Sequence, residues 1–270
     1  MSTFEEAFKK TKKKHLEEQS GSAEEVEERA PAESDQGKGT EPPWGGQEYK
    51  GSMYPPVLRK TREYFDGIWG NIILHHGGRP GSVLFCGATH GEGVTFVSFH
   101  LALFLSIEYG MKVLYVDACV ERAGQTTTLY RADRHPGLAA YLLGKQPLEG
   151  LIVKTEYGNL CVVPAGSKEM AGLAGGIISD RDALERFAQY CDQYFDLVIY
   201  DGLPASMYPS VIGFARLVDE VVLVSRYAYS RREVVRMVSE KLLENNVAIG
   251  GIVLNDREYP VPNRVYQLFR

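Results

Sequence analysis

Six short runs of Val, Ile and Leu set the frame of this chain: SVLFCG at 82–87, KVLYVD at 112–117, LCVVPAG at 160–166, DLVIYD at 196–201, EVVLVS at 220–225 and IGGIVLN at 249–255. Each has the length of one strand and is apolar at nearly every position, as suits a parallel strand covered on both faces. Segments of helical character separate them, at 94–109, 136–143, 180–194, 208–217 and 230–245. This alternation predicts an α/β fold: a doubly wound, three-layer α/β/α architecture with a mostly parallel central sheet and right-handed crossovers. Such folds collect ligands at the carboxyl ends of their strands, and Asp117 and Asp201 each end one.

A chain of 270 residues with 44% hydrophobic content can fill one sizeable core. The apolar runs begin after about residue 50, so the predicted organisation is a charged N-terminal segment with a disordered linker over 1–50 and one domain over 51–270. Residues 1–18 read as a short charged helix, for docking or merely solvated, followed by a Glu-, Ser-, Gly- and Pro-rich stretch. With 35 acidic against 30 basic residues and a net charge of -5, a nucleic-acid partner bound through its phosphates is excluded as the leading class. No apolar run reaches the roughly 20 residues of a membrane span, and the N-terminus lacks the apolar centre of a secretory signal, which predicts a cytoplasmic protein. Four scattered cysteines (Cys86, Cys119, Cys161, Cys191) read as buried thiols of a reducing compartment, without metal-ligand spacing.

The segment GATHGEGVTF, 87–96, joins the first run to the first helix. Gly87, Gly91 and Gly93 let backbone N–H groups turn inward around an anion, with a helix N-terminus behind them, which is the chemistry of a phosphate loop. Such a loop ordinarily continues with a lysine that neutralises the terminal phosphates and a Ser or Thr that holds magnesium. Thr95 is present, but Val94 stands where the lysine belongs, and no Lys or Arg occurs between Gly81 and Met111. His90 is the local candidate cation, and it is mostly neutral near pH 7.

Taken together, VLFCGATHGEGVTF, KVLYVDACVERAG, HPGLAAYLLGKQPLEGLI, GNLCVVPAG, FDLVIYDGLP and GGIVLNDREYPVP resemble, in order and from about residue 63 to the C-terminus, the cytoplasmic domain of bacterial tyrosine kinases (BY-kinases) of the capsular-polysaccharide type. The resemblance implies a P-loop fold and an autokinase that works with a membrane polysaccharide co-polymerase (Wzz-like) or other exopolysaccharide machinery. It further implies ATP or ADP with Mg as cofactors, peripheral association with the inner membrane through the partner, and homo-oligomerisation. The cofactor-binding set it implies is Gly91, Glu92, Gly93, Val94, Thr95, Phe96, Asp117, Asp201 and Asn255, the last at a position that contacts adenine in related ATPases. Magnesium, where nucleotide binds, falls to Thr95, Asp117 and Asp201.

The chain departs from that pattern at four places. Besides Val94, the second nucleotide motif normally carries two aspartates one residue apart, and here the second is Cys119. The self-assembly motif, a glutamate followed at three-residue intervals by two arginines, falls on Glu63, Asp66 and Trp69; a shifted register would use Arg59 and Arg62 but put Pro56 in the glutamate's place. The terminal tyrosine cluster is reduced to Tyr259 and Tyr266. A retained scaffold with degraded catalytic parts predicts a pseudokinase that regulates exopolysaccharide or capsule synthesis or export. Two alternatives stand beside it: an active autokinase drawing its cation from Arg122, Arg131, Arg226 or a partner, and a MinD/ParA-like positioning ATPase, against which the missing early lysine at 88–90 argues.

Overall fold

The computed structural model describes residues 56–121, 135–167, 170 and 181–256. The N-terminal segment of residues 1–50, Arg122, Arg131, Tyr259 and Tyr266 lie outside them. All described residues fall within one compact unit, Thr40–Arg270.

Helix α1 runs from Pro56 to His76. A proline is tolerated in the first turn because its missing N–H would have no intrahelical partner there. Leu58, Phe65, Trp69 and Ile72 recur at helical spacing and are buried. Gly77, at φ 81, ends the helix in the left-handed region, where its N–H and that of Gly78 reach Ile73 O at 3.0 and 3.1 Å.

The sheet elements are β1 (Ser82–Gly87), β2 (Val113–Asp117), β3 (Val153–Lys154), β4 (Leu160–Val163), β5 (Leu197–Asp201), β6 (Glu220–Arg226) and β7 (Gly251–Asn255). The helices that follow α1 are α2 (Val94–Glu108), α3 (Gly137–Leu142), α4 (Arg181–Asp192), α5 (Ser210–Ala215) and α6 (Arg232–Glu244). One seven-stranded sheet has the order β3-β4-β2-β5-β1-β6-β7. Every pairing is parallel except that of β3 with β4.

Side chains alternate across a strand, so an apolar run buried on both faces must feed two cores. It does. Leu84, Cys86, Leu114, Val116, Val198, Tyr200, Val221 and Leu223 meet Phe187 of α4, Phe214 of α5 and Val238 of α6 on one side. Val83, Phe85, Val113, Tyr115, Leu197, Ile199, Val222 and Val224 meet α1 and α2 on the other. The doubly wound three-layer α/β/α prediction is the observed architecture.

Three local expectations are corrected. The run at 160–166 pairs only to Val163, because Pro164 has no N–H to give the ladder. The run at 249–255 forms an edge strand, not one covered on both faces: Ile252 and Leu254 are exposed. Helix α1 and the two-residue antiparallel β3 fall outside the runs and helical segments read from the sequence.

Candidate nucleotide and metal site

Register builds the site. β2 and β5 pair so that Asp117 lies opposite Asp201, and Phe85 of β1 lies opposite Asp201 from the other side. Counting by twos from Val113 and from Leu197, both carboxylates point to the α2 face, at the ends of their strands and beside the loop that β1 feeds into α2. Asp117 and Asp201 are both buried.

The loop is braced from within. Glu92 is fully buried; its Oε2 accepts the N–H groups of Ala88 at 2.6 Å and Thr89 at 2.8 Å, and its Oε1 accepts the Ser230 hydroxyl at 2.5 Å. Gly87 is required there, since a Cβ would stand 2.5 Å from Glu92 Oε2. Gly91 and Gly93 hold φ of 82 and 88, values that cost a side-chain-bearing residue strain. Gly93 also accommodates Asn255, whose Nδ2 would collide with any Cβ at that position and donates to Glu92 O at 3.1 Å. Tyr229 straps the outside by donating to His90 O at 3.0 Å. Glu92 therefore occupies two loop amides permanently, while the first-turn N–H groups of α2 have no intrahelical acceptor and face the anion position.

Removing the brace should be costly. Glu92→Ala strands the buried Ala88 N–H and the part-buried Thr89 N–H, and hydrogen bonds to a charged group contribute about 1.5–3 kcal/mol each. We expect urea denaturation to show a loss of about 3 kcal/mol or more for Glu92→Ala. Glu92→Gln, which keeps an acceptor for the amides, should lose under half of that.

Two described basic side chains that could serve the loop, Arg226 and Lys241, are held by other groups. Val94 leans on the core shared by α1 and α2. Arg226 spends its guanidinium on Asp256, at 3.0 Å through Nε and 2.8 Å through a terminal nitrogen. Lys241 donates to Ala205 O at 2.8 Å. His90 packs edge-on against Tyr208, with Nε2 at 3.4 Å from its hydroxyl. Phe96 is partly exposed in the first turn of α2, its ring 4.2 Å from that of His100.

The two aspartates share a cluster with Cys119, their ligand atoms all within 4.8 Å of one another. Asp117 Oδ1 accepts the Cys119 N–H at 3.0 Å. Asp201 Oδ2 accepts the Tyr115 hydroxyl at 2.8 Å, while Oδ1 is buried with no hydrogen-bond partner. Burial first, and then the charge of Asp201, push the Asp117 carboxyl above the usual carboxylate range. Burial likewise raises Asp201, against the pull of the Thr95, Tyr115 and Ser98 hydroxyls. Two crowded acids and an orphaned oxygen beside Thr95 fit a hard divalent ion that keeps several waters, so the residues present can hold Mg²⁺. Cys119 in place of an oxygen donor weakens that fit without abolishing it.

A sign follows for stability. Both folded-state values lie above the unfolded ones, so the native state binds more protons across that interval, and stability falls as pH rises through it. Denaturation at pH 5 and pH 8 without divalent ions should show the wild type losing stability on the alkaline side. Asp201→Asn should flatten that dependence and be the more stable protein at pH 8.

Glu63 and Asp66 of the assembly motif are exposed, but Trp69 is buried in the α1/α2 core. Asp66 accepts the Tyr109 hydroxyl, and Arg62 pairs with Glu108 at 2.8 Å. Helix α1 ends on His75 and His76; both rings approach Glu220 Oε1, at 3.1 and 3.3 Å. None of the roles of Tyr115, Ser230 and Tyr229, nor the inward turn of Glu92, is legible in the sequence, because each contact joins distant segments.

No protein-family model matches the chain. Tyrosine-protein kinase CpsD of Streptococcus agalactiae is 28% identical over 198 residues, covering 73% of this chain and 84% of the relative. Tyrosine-protein kinase etk of Escherichia coli K12 is 28% identical over 173 residues, covering 64% of this chain but only 23% of the relative. Among solved structures, the kinase domain of Escherichia coli tyrosine kinase ETK superposes with a TM-score of 0.61 at 26% identity, over 75% of each chain. Among the described residues, no helix is long and apolar enough to cross a membrane. In sequence the chain is thus similar to bacterial tyrosine kinases (BY-kinases), and it shares the α/β fold of the ETK kinase domain.

Proposed function

We propose that this chain is a catalytically degenerate BY-kinase that regulates exopolysaccharide or capsule synthesis or export by docking on a membrane polysaccharide co-polymerase. The observation that carries the reading is the first turn of α2. Val94 packs into the core where a cation is needed, and Arg226 and Lys241 are engaged elsewhere. Phosphoryl transfer depends almost wholly on positioning and on neutralising the developing charge, so a loop of amides and a helix dipole can hold a nucleotide weakly yet transfer slowly.

Thr95, Asp117 and Asp201 would hold Mg²⁺, which would supply positive charge to offset that of the phosphates. Gly91, Glu92, Gly93, Val94, Thr95 and Phe96 would offer the loop and first-turn backbone, and Asn255 the side adjoining Gly93. The role in polysaccharide output is tested by complementing a deletion strain. A regulator that works by docking predicts that wild type and Asp201→Asn restore polysaccharide equally; restoration by wild type alone would show that chemistry at the site is needed.

A further inference from the structure

We propose that Asp117, Cys119 and Asp201 form a mixed thiolate–carboxylate site that prefers a borderline divalent cation of the Zn²⁺ or Co²⁺ kind over Mg²⁺. All three residues are buried, and their ligand atoms lie within 4.8 Å of one another. Tetrahedral bonds of about 2.3 Å to sulfur and 2.0–2.2 Å to oxygen place neighbouring ligand atoms roughly 3.2–3.7 Å apart, within reach of small side-chain rotations. Independently of Cys119, Asp201 Oδ1 is a buried carboxylate oxygen with no hydrogen-bond partner.

The surroundings orient both acids as outer partners of a metal site do. Tyr115 donates to Asp201 Oδ2, leaving the other oxygen to a ligand. The Cys119 N–H fixes Asp117 through Oδ1. The sulfur lies 3.6 Å from Asp201 O, against the end of β5. On binding, the Cys119 S–H bond breaks, a metal–sulfur bond forms and the proton leaves to solvent, with no change of oxidation state. A hard cation such as Mg²⁺ gains little from sulfur, whereas thiolate favours the softer ions.

The experiment uses the full metal-free chain and CoCl₂ alone, without nucleotide, so its outcome is independent of the proposed regulatory role. Wild type is expected to develop a thiolate-to-cobalt charge-transfer band together with the intense visible absorption of four-coordinate cobalt. Equimolar Zn²⁺ should abolish both, and a hundredfold excess of Mg²⁺ should not. Cys119→Ser should lack the charge-transfer band. Cys119→Asp, an all-oxygen variant that guards against misfolding of the serine one, should lack it too while gaining a thermal shift with Mg²⁺. Absence of the band in folded wild type, or its survival in either variant, overturns the proposal.

Discussion

Val94→Lys is expected to raise Mg·ATP turnover by about 10²–10³-fold over the wild-type background, the range associated with one well-placed charge-stabilising donor. The scaffold for that gain is in place. Gly91 and Gly93 hold the left-handed backbone that turns the loop, Glu92 braces it through Ala88 and Thr89, and Asp117 faces Asp201 across adjacent strands. What is missing is a positive charge in the first turn of α2, and a lysine stem at 94 can reach back over the loop. The valine gives up some core contact, at a cost of about 1 kcal/mol. Adding Cys119→Asp supplies a second oxygen donor, and because both changes act on one bound Mg·ATP, their effects on turnover should not simply add. Steady-state phosphate release from purified variants checks this. Turnover indistinguishable between wild type and Val94→Lys would mean that a cation from another part of the protein already fills the role.

Trp69→Arg should abolish folding rather than restore assembly. In the register Glu63, Asp66, Trp69 an arginine at 69 completes half of the family's self-assembly motif, so a purely sequence-based repair predicts oligomers. The structure predicts otherwise, because Trp69 is buried in the α1/α2 core with Phe65, Phe99 and Phe104. Losing the indole costs about 3–5 kcal/mol, and enclosing an unpaired guanidinium adds several more. Together these approach the whole stability of an ordinary domain, about 5–15 kcal/mol. Asp66→Arg, at an exposed position that loses one hydrogen bond to Tyr109, should remain folded. Circular dichroism and light scattering on the two variants separate the outcomes: a folded, higher-order Trp69→Arg oligomer would refute the core assignment.

What could be read in advance follows from the range of each interaction. The strands were legible because burial on both faces forces unbroken apolar runs, and their ends pointed to Asp117 and Asp201. Helix α1 was less so: Gly67, Gly70 and Asn71 interrupt its pattern, and its partner α2 carries ten consecutive buried residues, Val97 to Ser106, with little amphipathic period of its own. At the site, spacing exposed the glycines and the missing lysine. It could not show that Glu92 turns inward to Ser230, 138 positions away, or that Asn255 props the loop from 163 positions away. Cys119 read as a lost carboxylate, and only register revealed that its sulfur joins two acids in one buried cluster.

The central claim, that this loop can hold but not efficiently transfer, is tested most directly by incubating the purified full chain with γ-labelled ATP and Mg²⁺ and measuring phosphotyrosine over time. The account predicts no accumulation above an ATP-free control for wild type. Phosphotyrosine that accumulates in wild type and disappears in Asp201→Asn would contradict it.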